Sequence, residues 1–189
     1  MLKLKINGTW ILILNIIIGI NTWDRYRKKY SKIKYLNNLK WLQYQILYRY
    51  VKTNKVVSNF APNVIDICTF CRYSSETIKY FFFSCYLTNT FIEETTTFIR
   101  QFYLNFSITK IKFLFGDINR EAMDLENVIM LTMKGFKWCS KFKKKCASLN
   151  DFKKYVKIIL ENLKIVHDLC YKSVIFSEHF ETMYLSLVQ

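Results

Sequence analysis

The chain has 189 residues, of which 51% are apolar, so it can bury one sizeable core and carry short appendages. Only four glycines and a single proline are present, which argues against a loop-rich β-sandwich and against long disordered linkers. The formal net charge of +15 favours polyanionic partners, either nucleic acid or an anionic membrane surface. A coding sequence rich in A and T would also enrich lysine and produce the same excess.

The N-terminal residues 1–22 form an apolar leader, in which Trp10–Ile20 is a hydrophobic run interrupted by Asn15. A helix needs roughly 20 residues to span a bilayer, so this run is too short to cross a membrane. A charged start followed by a short apolar run is also typical of a signal peptide, but no small-residue cleavage site follows it. We expect a buried segment or translated non-coding sequence, with membrane association as the alternative.

Residues 23–65 are predicted to form a basic helical segment. Apolar residues recur there at helical spacing, at Leu39, Leu42, Ile46 and Tyr50. This pattern predicts an amphipathic helix with Lys40, Arg49 and Lys52 toward solvent. The stretch 59–66 contains the only proline and predicts a break in the helical structure.

Residues 66–92 contain three of the six cysteines of the chain in a metal-like pattern. Cys68 and Cys71 are separated by two residues, and a tight turn can bring both thiolates to about 2.3 Å from one tetrahedral zinc ion. Cys85 follows as a third candidate ligand. The alternative is that all three are ordinary small buried residues. Disulfide-stapled domains are usually shorter and richer in cysteine, so we expect reduced thiols in an intracellular protein.

Residues 93–189 are predicted to form a C-terminal helical region. The aromatic and β-branched stretch 91–115 leaves helix and strand open. A helix is predicted over about 121–142, although it must tolerate Gly135. Its expected buried face comprises Leu125, Val128, Ile129, Met133 and Phe136. A further helix is predicted from Ser148, because Ser148–Asp151 fits a capping box and apolar residues then recur every three or four positions.

Several short motifs occur in order along the chain. They are Trp41–Arg49, Thr53-Asn54, the Cys68/Cys71 pair, Glu76-Thr77 and Phe82–Cys85, followed by Phe113–Gly116, Lys134–Lys141 and Leu149–Lys153. In this combination the chain resembles the C-terminal region of LINE-type (non-LTR) retrotransposon reverse transcriptases, which lies beyond the polymerase palm. The likeness covers residues 23 to the late 160s and is strongest over 39–91.

The resemblance implies a zinc-knuckle-like module with Cys68, Cys71 and Cys85 as metal ligands. The usual histidine of the family would stand where this chain has Tyr80, so that Tyr80 occupies the fourth ligand position. A phenol with a pKa of about 10 is a poor zinc ligand at neutral pH. Three thiolates could still hold zinc with water as the fourth ligand, or with a donor from another element. The candidates for that donor are Cys139, Cys146 and His167.

Basic residues interleave with aromatic residues near the end of the helix predicted over 121–142. We single out two groups as candidates for nucleic-acid binding, namely Lys40, Arg49 and Lys52 in the first group and Lys134, Lys137, Lys141, Lys143, Lys144 and Lys145 in the second. Lysines can neutralise phosphates while aromatic side chains stack on unpaired bases. The alternative is a solvated helix face whose aromatic side chains turn inward.

The sequence contains no visible catalytic constellation. Its six aspartates are isolated, whereas a polymerase site needs closely placed aspartates to hold two divalent ions. Neither a nucleophile–base arrangement nor a glycine-rich phosphate loop is present. We therefore expect a protein that is not an enzyme and that binds no small-molecule substrate.

These observations predict a mainly α fold, with helical segments around a small, degenerate zinc-knuckle-like module and with a short β-hairpin as an option. The expected function is that of a non-catalytic reverse-transcriptase fragment that binds RNA or DNA backbones with low specificity. A decaying open reading frame fits the same residues. The alternative is a basic protein on a membrane surface, anchored by Trp10–Ile20. We expect an intracellular location, either nuclear or cytoplasmic.

Overall fold

A computed structural model describes residues 34–116, 125–169 and 178–188 of the chain. The helices in these residues are α1 Lys34–Leu47, α2 Asn54–Val57, a π-helix Tyr80–Ser84, α3 Tyr86–Arg100, α4 Lys110–Phe115, α5 Leu125–Phe142, α6 Leu149–Leu169 and α7 Glu178–Val188. The predicted leader 1–22, with its apolar run Trp10–Ile20, lies outside the described residues.

The predicted mainly helical fold is confirmed, and the described residues contain no β-strand. The short β-hairpin that was an option for the fold is therefore absent from the described residues. The N–H of Cys68 donates to the carbonyl of Ser74 (2.8 Å), and the N–H of Arg72 donates to the carbonyl of Cys68 (3.0 Å). These bonds close a compact turn and leave those groups unavailable to a strand ladder.

Helix α5 packs against both α1 and α6, and α3 packs against α6. The π-helix contacts α3 and α4, which attaches the cysteine segment to the helical body. One hydrophobic core includes Leu42, Val51, Phe81, Phe106 and Phe152. The described parts of the predicted segments 23–65, 66–92 and 93–189 therefore share this core.

Gly135 lies where α1 and α5 approach each other. A Cβ atom at position 135 would overlap the side chain of Leu39, which is itself buried. Glycine therefore lets the two helices pack closely. Of the expected buried face of this helix, Val128, Ile129 and Met133 are buried.

Helix α1 buries Leu39, Leu42 and Ile46, as their spacing predicts. Tyr50 departs from that prediction, because it lies beyond the end of α1 and is 51% exposed. The chain leaves the helix at Arg49, whose φ of 60° is incompatible with a further right-handed turn.

The stretch 91–115, in which helix and strand remained open, forms most of α3, a connecting loop and α4. Helix α3 buries Phe91, Ile92, Phe98 and Ile99 on one face. The hydroxyls of Thr90, Thr96 and Thr97 donate to carbonyls one turn earlier in the same helix. The hydroxyl of Thr96, for example, donates to the carbonyl of Ile92 (2.7 Å). Burial of the aromatic face thus overrides the strand preference of the β-branched residues.

The predicted start of the last long helix is confirmed by its cap. The N–H of Asp151 donates to the hydroxyl oxygen of Ser148 (3.3 Å), and that hydroxyl donates to the Asp151 carboxylate (3.1 Å). The first bond is the N-cap half of the predicted capping box, and in the second the Asp151 carboxylate accepts the Ser148 hydroxyl instead of the backbone N–H of Ser148.

Candidate metal centre

The three cysteines of the predicted knuckle converge on one point. Their Sγ atoms all lie within 4.8 Å of one another, and those of Cys68 and Cys85 are 3.9 Å apart. Two thiolates that share a tetrahedral zinc ion at about 2.3 Å each are about 3.8 Å apart, so this spacing fits a shared metal. Cys68 and Cys85 are fully buried and Cys71 is half-buried. The three thiols could therefore form a metal site that is open on the Cys71 side.

Cys68 and Cys71 are brought together by the turn that ends at Arg72. Arg72 has a φ of 53°, in the left-handed region that is unfavourable for a residue with a Cβ atom. This conformation reverses the chain immediately after Cys71. The sequence holds an arginine at a position whose backbone favours glycine.

Cys85 is positioned by the junction between the π-helix and α3. Its backbone is extended (φ −64°, ψ 133°), and its carbonyl accepts the N–H groups of Thr88 and Asn89 at 2.9 Å each. Within the π-helix, Phe81 and Phe82 are both fully buried. The wide π-turn therefore anchors itself in the core and presents Cys85 to Cys68.

The thiols of this cluster are electrostatically coupled. The Cys68 thiol donates a hydrogen bond to the sulfur of Cys85, which lowers the pKa of Cys85 to about 4, with help from the backbone N–H of Thr88. The same hydrogen bond and burial raise the pKa of Cys68. This coupling favours the thiolate form of Cys85, which is the form that binds metals.

Tyr80 projects its hydroxyl onto the same cluster, with Oη 3.3 Å from the Sγ atom of Cys71. This hydrogen bond is the main reason that the pKa of Tyr80 is raised above its usual value. The side chain therefore remains a phenol that is hydrogen-bonded to Cys71. The structure thus places Tyr80 beside the sulfur atoms, as expected for the residue at the fourth ligand position. Cys139 and Cys146, the other candidate donors among the described side chains, are exposed and outside this group.

A carboxylate that the sequence did not single out holds the module together. Glu76 is fully buried, and it accepts the N–H of Asn54 (2.9 Å), the N–H of Thr69 (2.6 Å) and the hydroxyl of Thr69 (2.7 Å). It also forms an ion pair with Lys141 of α5. Asn54 in turn donates to the carbonyl of Ile67 (2.7 Å). Glu76 thus joins α2, the cysteine turn and α5.

Two lysines of the second nucleic-acid group are buried, which corrects their placement on a solvent-facing surface. Lys134 is 2% exposed and bonds to the Oε1 atom of Gln43, and Lys137 is 1% exposed. Burial lowers the pKa of each to about 7. The Lys137 ammonium lies over the ring of Phe81, 4.7 Å from its centroid. Neither side chain can reach a phosphate in this structure.

The remaining members of the two groups differ in accessibility. Lys141 forms an ion pair with Glu76, and the Nζ atom of Lys145 lies 2.6 Å from the Asp151 carboxylate. Lys143 and Lys144 are exposed, as are Arg49 and Lys52. Lys40 departs from its predicted solvent-facing position, because its Nζ atom is buried and desolvation lowers its pKa to about 8.

The spacing of the lysines indicates which of them lie on one face of α5, but it does not indicate that this face is buried. Lys134, Lys137 and Lys141 are three and four residues apart, so they share one helix face, whereas the consecutive Lys143, Lys144 and Lys145 cannot. That face meets the ring of Phe81 and the carboxylate of Glu76. Lysines on a helix face are buried only where aromatic rings or carboxylates of other elements contact them. The sequence does not show that Phe81 and Glu76 lie opposite this face.

Comparisons with protein-family models, with curated proteins and with solved structures find no match for this chain. Across residues 34–116, 125–169 and 178–188, none of the helices combines the length and the apolar character that a membrane-spanning helix requires. The interpretation of the site therefore depends on its own geometry and on the motifs of the sequence.

Proposed function

We propose that the chain is a non-catalytic nucleic-acid-binding protein, derived from a LINE-type reverse transcriptase, in which Cys68, Cys71 and Cys85 hold a structural zinc ion. The observation that supports this proposal best is the convergence of the three sulfur atoms, with a spacing of 3.9 Å between two of them. The resemblance supplies the class of protein, and the charge of +15 supports a polyanionic partner.

The role of the metal would be to fix the turn 68–71 against the π-helix and its junction with α3. Those two segments meet through the sulfur atoms of Cys68 and Cys85 and through the core rings of Phe70 and Phe81, whose centroids are 5.4 Å apart. Because such a site does not exist in an unfolded chain, the free energy of metal binding would add to the free energy of folding. Tyr80 would line the open side of the site.

The first experiment measures zinc in the purified full-length chain, with Cys85→Ser and Cys139→Ser as a matched pair. We expect about one zinc ion per chain in the parent and in Cys139→Ser, because Cys139 lies outside the cluster, and a loss of zinc in Cys85→Ser. A parent without zinc, or equal losses in both variants, would contradict the metal assignment.

The second experiment measures binding of a labelled single-stranded RNA at several salt concentrations. Phosphate contacts release counterions, so the logarithm of the affinity should fall linearly with the logarithm of the salt concentration. A flat dependence, or no binding at low salt, would contradict the nucleic-acid role whatever the zinc content.

A further inference from the structure

A groove opens between the end of α1, α2, the residues before the π-helix and α4. Its volume is about 650 Å³, within the range of about 300 to 1,000 Å³ that is typical of ligand sites. Its floor is apolar and is built from Ile46, Ile78, Leu114 and Phe115. Ile111 lies at the mouth and is 68% exposed, so the groove is open to solvent.

The charged side chains that line this groove are all cationic. They are Arg49, Lys55, Lys79 and Lys110, and no acidic residue is among the described lining residues. Lys55 is partly neutralised by Asp66 at 2.8 Å. These four residues come from separate parts of the sequence, so only the folded chain brings them together.

Lys79 and Lys110 both line this groove, and their side chains are within hydrogen-bonding reach of each other. That contact is the main reason that the pKa of Lys110 is lowered, with smaller contributions from desolvation and from the charge of Lys79. Within the described ranges neither lysine forms an ion pair with a carboxylate. Two ammonium groups held together repel each other, and an anion placed between them would remove that cost.

The number of cations distinguishes between possible anions. A fatty acid carries one carboxylate, which places a single negative charge in a groove that is lined by cations from separate elements. A nucleic-acid strand carries a phosphate at every nucleotide, so it can pair with cations on both sides of the groove. The half-buried ring of Phe115 also offers a surface on which an unpaired base can stack.

We propose that this groove binds a single strand of nucleic acid, with a phosphate between Lys79 and Lys110 and an unpaired base on the apolar floor beside Phe115. This inference rests on the proposed nucleic-acid binding and assigns it to a surface. That surface replaces the face of Lys134 and Lys137, which the structure buries. A duplex would present phosphates to the rim and would leave the floor empty.

The test compares two charge-matched double variants of the full-length chain, using a labelled single-stranded RNA of mixed sequence. Lys79→Gln with Lys110→Gln removes the groove pair, and Lys154→Gln with Lys157→Gln removes two lysines of α6 that lie outside the groove and outside both candidate groups. Losing two phosphate contacts should lower the salt slope by about 1.4 and weaken binding about tenfold or more near 0.1 M salt. We expect the control pair to bind within about twofold of the parent.

Three further arms complete the test. Binding of single-stranded DNA of the same sequence should depend on Lys79 and Lys110 in the same way. The corresponding duplex should bind more weakly than the single strand. Equal losses in the two double variants, or a preference for the duplex, would overturn the proposal. So would binding of vesicles with anionic lipids that requires Lys79 and Lys110 while RNA binding does not. A parent that binds no RNA would overturn the proposed function and the groove assignment together, whereas RNA binding that persists unchanged without Lys79 and Lys110 would overturn the groove assignment alone.

Discussion

The carboxylate of Glu76 and the ammonium of Lys141 form an ion pair between the cysteine module and α5, with the Glu76 side chain fully buried. The same carboxylate accepts hydrogen bonds from the backbone N–H groups of Asn54 and Thr69. Lys141 also donates to the side-chain oxygen of Asn54 at 3.1 Å. A buried charge with this many partners fixes a geometry more than it adds net stability.

Removing one partner of this pair should be costly. Lys141→Met leaves the buried Glu76 carboxylate without its counter-ion, so we expect a loss of about 3 kcal/mol or more in the free energy of unfolding. Urea denaturation measures this loss. The matched control is Lys145→Met, which breaks an exposed pair with Asp151 and should cost at most about 1 kcal/mol. Equal losses in the two variants would contradict the structural role of Glu76.

The side chain at position 80 should control the affinity of the cysteine cluster for zinc. An imidazole in place of the Tyr80 phenol supplies a good zinc ligand beside Cys71. A residue that only hydrogen-bonds to a metal ligand typically changes metal affinity about tenfold, so Tyr80→His, which adds a ligand, should raise the zinc affinity by more than that. Tyr80→Phe keeps the ring but removes the hydroxyl that is hydrogen-bonded to Cys71, and it should weaken binding about tenfold.

Competition with a chromophoric zinc chelator measures both changes in the purified proteins. Tyr80→Phe serves as the control for Tyr80→His, because both change the hydroxyl while only one adds a ligand. Equal affinities in the parent and in both variants would mean that the side chain at position 80 does not face the bound metal.

The parts of this molecule that sequence analysis predicts are those governed by local spacing. Apolar periodicity predicts α1, α5 and α6, the capping box at Ser148 predicts where α6 begins, and the spacing of Cys68 and Cys71 predicts a turn that brings two sulfurs together. Each of these features depends on residues within about two helical turns of one another. The rest of the fold depends on partners that are distant in sequence.

The burial of Lys134 and Lys137 is the clearest case of such dependence. A lysine on a helix face is normally solvated, and only the rings of Phe70 and Phe81, far away in the sequence, create a buried place for the Lys137 ammonium. In the same way, Lys79 and Lys110 are 31 residues apart by number, and nothing local indicates that they meet. The charge pattern along this sequence therefore does not predict which lysines lie together on a solvent-accessible surface.

The buried Lys134 should make stability depend on pH. Its pKa is lowered to about 7 by burial, whereas an unfolded lysine has a pKa of about 10.4. Between about pH 7 and pH 10 the unfolded chain therefore binds one more proton at this residue than the folded chain does. The free energy of unfolding should rise with pH in this window, by up to about 1.4 kcal/mol per pH unit for one such lysine.

Urea denaturation at pH 7, 8 and 9 checks this prediction. Lys134→Met removes the titrating group, so its free energy of unfolding should rise less steeply with pH than that of the parent. Lys154→Met is the control, because Lys154 is exposed on α6 and its substitution should leave the slope unchanged. Cysteine titrations occur in all three proteins and cancel in the comparison. A slope for Lys134→Met equal to that of the parent would contradict the burial of a neutral amine.

The left-handed backbone at Arg72 predicts a substitution that stabilises the cysteine turn. A residue with a Cβ atom costs about 1–2 kcal/mol in this region, and glycine avoids that cost while losing more entropy on folding. Arg72→Gly should therefore raise the free energy of unfolding by about 0.5–1 kcal/mol. Because the turn would be better preorganised, zinc affinity should also rise.

Lys144→Gly, at a φ of 50° in the turn after α5, is the control, because it should stabilise the chain similarly without changing zinc affinity. A gain in zinc affinity for both variants, or for neither, would show that the turn at Arg72 does not position Cys71.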